Sequence, residues 1–313
     1  MEIKQKRYGF NQKKRNRLLF YIAGVSLPVL QFCVFYIYLN ASSFALAFQK
    51  YSTQEGKLGY IVTFAGFENF KVAFQALKNY SYMLKNSLVY FVFHVGIGMT
   101  LAVVFSFYIY KKFRGAGAFK TILFLPKIVP GVVFSLLFKY LVTDCYSAIA
   151  TAIKGEYVFG LLDNPETLFP TVVAYNIWIG FGVNVLLYSG SMSNINESLV
   201  ESAQLDGANI IQEFFHITLP MIWPTFTTFV VVAVSGIFTN GMALYSLFQT
   251  DAINIGTLGY YFYISALKSG VEAKGGYLSY PELSALGMIL TAVMCPLTLL
   301  VRKLMRKFGP SVE

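Results

Sequence analysis

Charge is what this sequence has least of. Only 13% of its 313 residues are Asp, Glu, Lys or Arg, against 56% hydrophobic. So few charges could not cover a soluble domain of that length, which excludes an ordinary soluble protein. Acids are scarcer than bases, 15 against 25, leaving a net charge of +10. The basic residues cluster beside apolar segments, as membrane-orientation signals do, so the excess does not indicate a nucleic-acid partner. Cysteine is confined to Cys33, Cys145 and Cys295. An odd number at wide spacing excludes a disulfide framework and a metal motif. Small apolar side chains in or near a bilayer are the simpler reading of all three. His94 is the one imidazole in an apolar segment. It reads as a packed or hydrogen-bonded side chain rather than a proton relay. No G-x-x-x-x-G-K-[ST] occurs, so the chain has no nucleotide-binding P-loop. No cleavable signal peptide is evident. The first apolar run follows a basic N-terminus but is long enough to span, and it lacks a small-residue cleavage pattern.

What is present is long hydrophobic runs. Six are long and apolar enough to cross about 30 Å of hydrocarbon as helices. They lie near Leu18–Leu39, Ser87–Tyr110, Thr121–Val142, Leu168–Tyr188, Met221–Leu247 and Leu283–Val301. The expected fold class is an all-α polytopic membrane protein. A basic N-terminus over 1–17 precedes one transmembrane domain over 18–301, and a tail over 302–313 follows it. Lys and Arg concentrate before Leu18, at Lys111, Lys112, Arg114 and Lys120, and at Arg302, Lys303, Arg306 and Lys307. The positive-inside rule then places both termini in the cytoplasm. Every acid is expected in a connection, a tail or a span edge, with Asp144 and Glu282 at outer margins. Lys127 is expected inside the third span, near its cytoplasmic half, where it can snorkel. Proton-coupled pumps and intramembrane hydrolases generally need an ionisable group in the bilayer interior, so neither is indicated.

The inward-facing loop over 190–220 breaks the charge pattern. It holds no Lys or Arg, but carries Glu197, Glu201, Asp206 and Glu213. An acidic cytoplasmic loop on a basic protein suits a basic protein surface. Asn194 and Glu197 have capping-box spacing, Ser198–Leu205 can continue as helix, and Gly207 is a natural left-handed stop. Asn209 with Gln212 repeats the cap spacing, and Pro220 is expected in the first turn of the next span. Glu197, Val200, Glu201 and Gln204 share one helix side. The small residues Ser202, Ala203, Gly207 and Ala208 would let another protein approach the backbone closely.

Glu201, Ala203, Gly207, Ile217, Leu219 and Pro220 together resemble the EAA loop of ABC importer permeases. Ser202 stands where that pattern has its first alanine. The variant Asp206-Gly207-Ala208, with Gln212 and Phe214-Phe215, is similar to the maltose-type and multiple-sugar permeases. Phe67-Glu68-Asn69-Phe70, Arg114-Gly115, Phe124-Leu125-Pro126, Pro130-Gly131 and Asn176-Ile177-Trp178 agree in order and spacing. The resemblance implies a type I importer permease fold in a prokaryotic cell membrane. It also implies that Glu201, Ser202, Ala203, Asp206, Gly207 and Ala208 contact a cytoplasmic ATPase. ATP and Mg would then be bound by two partner P-loop subunits and not by this chain. The remaining implied partners are a second, homologous permease, an extracytoplasmic solute-binding protein and membrane lipid. No nucleic acid is implied.

A carbohydrate needs hydrogen-bonding groups and flat apolar faces. The spans flanking the loop offer Tyr175, Trp178, Gly180, Gly182 and Asn184 in the fourth, and Ser235, Thr239 and Asn240 in the fifth. Asn184 and Asn240 are preferred, because an amide deep in a span seeks a partner. The resemblance also assigns sugar contacts to these two spans. Small polar residues serve helix–helix contacts as well. The alternative substrates are a polyol, glycerol phosphate or a polyamine. A self-powered secondary transporter is the alternative class; an intramembrane enzyme lacks a nucleophile and base.

Overall fold

A computed structural model of the protein describes the backbone of residues 2–53 and 59–310 and the side chains of 12–52 and 59–310. The side chains of Lys4, Lys6 and Arg7, and the tail residues 311–313, lie outside the described residues. Two compact units divide the chain, residues 1–73 with 269–288 and residues 74–268 with 289–313.

In the first unit, α1 (Gln12–Leu46) leads into an antiparallel hairpin of β1 (Gln49–Thr53) and β2 (Tyr60–Phe64). Gln49 pairs with Phe64, and Thr53 with Tyr60. Asn69, in the first turn of α2 (Glu68–Asn79), donates its amide to the carbonyls of Ala47 at 2.9 Å and Gln49 at 2.8 Å. Phe48 packs against Phe64, Phe67 and Phe70. The Phe67–Phe70 stretch thus fastens the hairpin to the start of α2.

The second unit holds α3 (Ser81–Tyr110), α4 (Ala116–Ile128), α5 (Gly131–Lys154) and α6 (Pro165–Met192). There follow α7 (Glu197–Leu205), α8 (Ile210–Ser235), α9 (Leu244–Phe248) and α10 (Leu258–Lys268). The last helix, α11 (Tyr280–Phe308), begins in the first unit and ends in the second. Six helices, α1, α3, α5, α6, α8 and α11, are long and apolar enough to cross a membrane. The all-α, six-span expectation agrees with this.

Two spans are set differently from the sequence expectation. A helix over Thr121–Val142 does not form, because Val129 is extended with ψ 137° and Pro130 follows it. Proline disfavours helix in the residue before it and cannot donate to the preceding turn. The crossing segment is α5, displaced toward the C-terminus. Lys127 therefore lies in the last turn of α4, outside the span. Asp144 lies well inside α5, exposed on its surface, and not at a margin.

The fifth span runs from Ile210 to Ser235, not from Met221 to Leu247. Pro220 falls inside this continuous helix rather than in its first turn. A π-turn over Phe214–Thr218 comes directly before α8's proline, and such a widened turn absorbs a missing N–H. Beyond Ser235 the chain turns, with Met242 and Ala243 at φ 51° and 50°. Close packing fixes where it turns. A Cβ added at Gly259 would overlap the backbone of Thr239 and Asn240, so only glycine lets the two strands of chain pass there.

The second unit packs around α3 and α6. Ala102, Val103 and Phe107 of α3 meet Val185, Tyr188 and Met192 of α6, with Val200 of α7 and Ile222 of α8 joining them. The Ser106 hydroxyl donates to the Val185 carbonyl at 2.9 Å across this contact. Gly182 lies directly against the Leu123 carbonyl, where a side chain would collide. Small residues are what allow helices to approach this closely in a membrane.

Candidate functional site

The loop between α6 and α8 is built by its caps. The Asn196 side chain accepts from the Ser198 N–H at 3.1 Å and starts α7. The cap is therefore Asn196 and not Asn194, which lies in the preceding turn. At the far end Gly207 has φ +83°. The Ala208 N–H reaches the Ala203 carbonyl at 2.9 Å, and the Gly207 N–H reaches Gln204 at 3.1 Å. These are the two bonds of a Schellman cap, so Gly207 ends α7 as expected. Asn209 and Gln212 form the reciprocal capping box that opens α8, at 2.8 and 2.9 Å.

Of the loop's four acids, one is spent internally. Glu213 is 1% exposed, and both its oxygens accept from Lys111 Nζ at 2.9 Å. Gln204 of α7 adds a bond to it at 3.3 Å. Glu213 is thus no part of an acidic surface offered to a partner. It ties the start of α8 to the end of α3 and to α7. Val200 also turns inward, into the core beside Phe107 and Met192. Glu197, Glu201, Ser202, Asp206 and Gly207 remain exposed, while Ala203 and Ala208 are half-buried. Apolar side chains share this surface: Leu205 is 89% exposed, Ile211 69% and Phe215 56%. The acidic surface expected from sequence is therefore partly apolar. The signal for Leu205, Ile211 and Phe215 was apolar residues at the two ends of the capped turn. Leaving such side chains in water is unfavourable.

A second feature lies along the same helices. A cavity of about 340 Å³ is lined by Tyr90 and His94 of α3, Asn184 of α6, Val232 of α8, and Thr239 and Asn240 beyond it. The structure thus brings together the two amides preferred from sequence. Asn240 does so from a turn, not from deep in a span. Its carbonyl accepts from Thr257 Oγ1 at 2.7 Å and its side-chain oxygen from the Met242 N–H at 2.8 Å. Tyr90 lines the same cavity. Asn176 secures the turn from α6, donating to the Met242 carbonyl at 2.7 Å.

His94 is packed, as expected, with its ring 5.6 Å from that of Tyr90. Its Nδ1 is buried with no hydrogen-bond partner among the described residues. An unpaired lone pair costs less than an unpaired N–H, so the proton belongs on Nε2. That nitrogen is then a donor. A side chain at Gly180 would stand against the ring, with its Cβ 3.9 Å from Cε1. The other sequence candidates lie off the cavity lining. Tyr175 is 1% exposed, its hydroxyl 2.6 Å from Ser135 Oγ and its ring against Phe138. Trp178 packs edge-on to Phe134 and keeps an exposed face. Ser235 is exposed and donates to the Val232 carbonyl at 2.7 Å. The cavity offers amide, hydroxyl and imidazole groups beside an aromatic face, which suits the binding of a polyhydroxylated molecule.

Comparison with known proteins places this architecture. The chain is 27% identical over 288 residues to the arabinooligosaccharides transport system permease protein AraP of Bacillus subtilis (strain 168), covering 90% of this chain and 86% of that one. It is 26% identical to the polygalacturonan/rhamnogalacturonan transport system permease protein YteP of the same organism, covering 96% and 94%. Its fold matches a chain in the crystal structure of a bacterial ABC transporter involved in the import of the acidic polysaccharide alginate. The TM-score is 0.72 at 21% identity, over 96% of this chain and 98% of that one. Residues 81–313 match the family described as the binding-protein-dependent transport system inner membrane component. That match takes in well over half of the chain, which therefore belongs to this family of multi-pass membrane transport components.

Proposed function

We propose that the chain is a permease subunit of an ATP-driven importer for oligosaccharide. Support for the carbohydrate comes from the arabinooligosaccharide, polygalacturonan/rhamnogalacturonan and alginate systems of the proteins it is similar to. The chain performs no hydrolysis. ATP and Mg are bound by two cytoplasmic ATPase subunits, a second permease completes the channel, and a solute-binding protein delivers substrate. Both termini are cytoplasmic, as the Lys/Arg distribution indicates.

One observation carries the mechanism: α3 and α8 each run from the cavity to the capped loop, and Lys111–Glu213 ties their loop ends. From Glu213 to Val232, α8 is a continuous helix of roughly 28 Å at about 1.5 Å per residue. A load on α7 passes through Val200 and Gln204 into both helices and so reaches the cavity. In this reading Glu201, Ser202, Ala203, Asp206, Gly207 and Ala208 meet the ATPase. Its closure shifts the helices between two packings that open the cavity to opposite sides. Asn184, Asn240 and His94 hold substrate hydroxyls.

The complex purified through a tag on this chain should contain a P-loop ATPase; recovery of the chain without one, in an active preparation, would sink this reading. Asn240→Leu should raise the KM for uptake about tenfold or more, the scale for leaving a buried polar partner unpaired. Complex assembly should be unchanged. An unaltered KM would make Asn240 a turn residue only.

A further inference from the structure

Where α8 meets the last turns of α11, a cavity of about 550 Å³ is lined by Trp223, Thr227, Val231, Val232, Arg302 and Arg306. The transport mechanism above leaves Trp223, Thr227, Arg302 and Arg306 unused. At 29 residues α11 is roughly 43 Å long, at about 1.5 Å per residue, against about 30 Å of hydrocarbon. Its basic end must therefore emerge from the apolar layer. The exposed Leu299 and Leu300 give way to Arg302 at that point. Trp223 marks the same level, its indole N–H donating to the Met305 carbonyl at 3.0 Å. Tryptophan is enriched at that depth of a membrane.

Arg302 and Arg306 are four residues apart and share one side of α11. Neither guanidinium has an ion-pair partner among the described residues. Thr227, on the opposing wall, is 7% exposed, and its Oγ1 has no hydrogen-bond partner among the described residues. Two cations without ion-pair partners, lining one cavity, call for an anionic acceptor. The guanidinium fork matches phosphate geometry. Val231 and Val232 continue the cavity wall as apolar surface.

We propose that this cavity binds the phosphate headgroup of an anionic phospholipid. Arg302 and Arg306 take the phosphate oxygens, and the valines meet the first acyl carbons. A free phosphate shares the headgroup chemistry but makes no use of the apolar wall. The site is independent of the substrate and of how the ATPase is coupled.

The test is lipid titration of the assembled complex, purified through this chain and read by native mass spectrometry. Phosphatidylglycerol should bind more tightly than phosphatidylcholine. Arg302→Gln with Arg306→Gln should weaken phosphatidylglycerol about thirtyfold, roughly a factor of five for each arginine, and leave phosphatidylcholine unchanged. Arg302→Lys with Arg306→Lys keeps the charge and loses the fork, so an intermediate loss is expected. Equal phosphatidylglycerol affinity in wild type and either arginine variant would overturn the site. Displacement by millimolar inorganic phosphate would instead assign it to a free anion. Loss of an associated protein subunit with lipid binding unchanged would make the arginines a protein contact, which also overturns the proposal.

Discussion

Glu213→Ala should destabilise the protein by about 3–5 kcal/mol, the cost of breaking a buried ion pair from one side. Lys111, 17% exposed in its side chain, would keep its charge and lose both carboxylate oxygens. Gln204 would lose its acceptor as well, freeing α7 from the start of α8. Uptake should fall to background and recovery of the complex should drop. Replacing both ends, Lys111→Met with Glu213→Leu, should restore most of the stability, since a packed apolar pair avoids the desolvation that the ions incur. Thermal unfolding of the purified complexes reads both effects. Wild-type stability in the Glu213→Ala variant would show that the pair does not hold the loop.

Glu201→Lys should have an equally large effect on transport by a different route. Glu201 is exposed on α7 and makes no core contact, so the substitution leaves the fold and membrane insertion intact. It reverses a charge on the surface that also presents Glu197, Asp206 and the apolar Leu205. Like charges brought together at an interface cost several kcal/mol, so a loss of a hundredfold or more in ATP-dependent uptake is expected. ATPase activity should no longer respond to substrate. Full uptake by this variant, with normal amounts of complex, would remove the coupling role from α7.

Local structure in the loop was legible because its signals are local. The Gly207 stop and the Asn209–Gln212 box need only neighbouring residues, and both form as read. The helix start was placed two residues early, because Asn194 and Asn196 are equally good acceptors and only tertiary packing selects between them. Hydropathy located six crossing helices but mis-set the third. An apolar run gives no sign that Pro130 ends one helix and that another starts beyond it. The fifth was misread at both ends, since the π-turn admits Pro220 into the helix and a turn held by Asn176, Thr257 and Gly259 ends it early. Burial of Glu213 was invisible because its partner is 102 residues away in sequence. His94 stands alone in its apolar segment. Its place beside Asn184 and Asn240 depends on how α3, α6 and the turn after α8 pack, which no single segment encodes.

In the proposed function a separate ATPase drives saccharide through this chain by way of α7. Uptake of a labelled oligosaccharide into proteoliposomes tests it most directly. The complete complex with internal or external ATP on the ATPase side should accumulate sugar, and the same complex carrying Glu201→Lys should not. Sustained accumulation by the purified chain alone, without ATP or an ATPase subunit, would contradict the account.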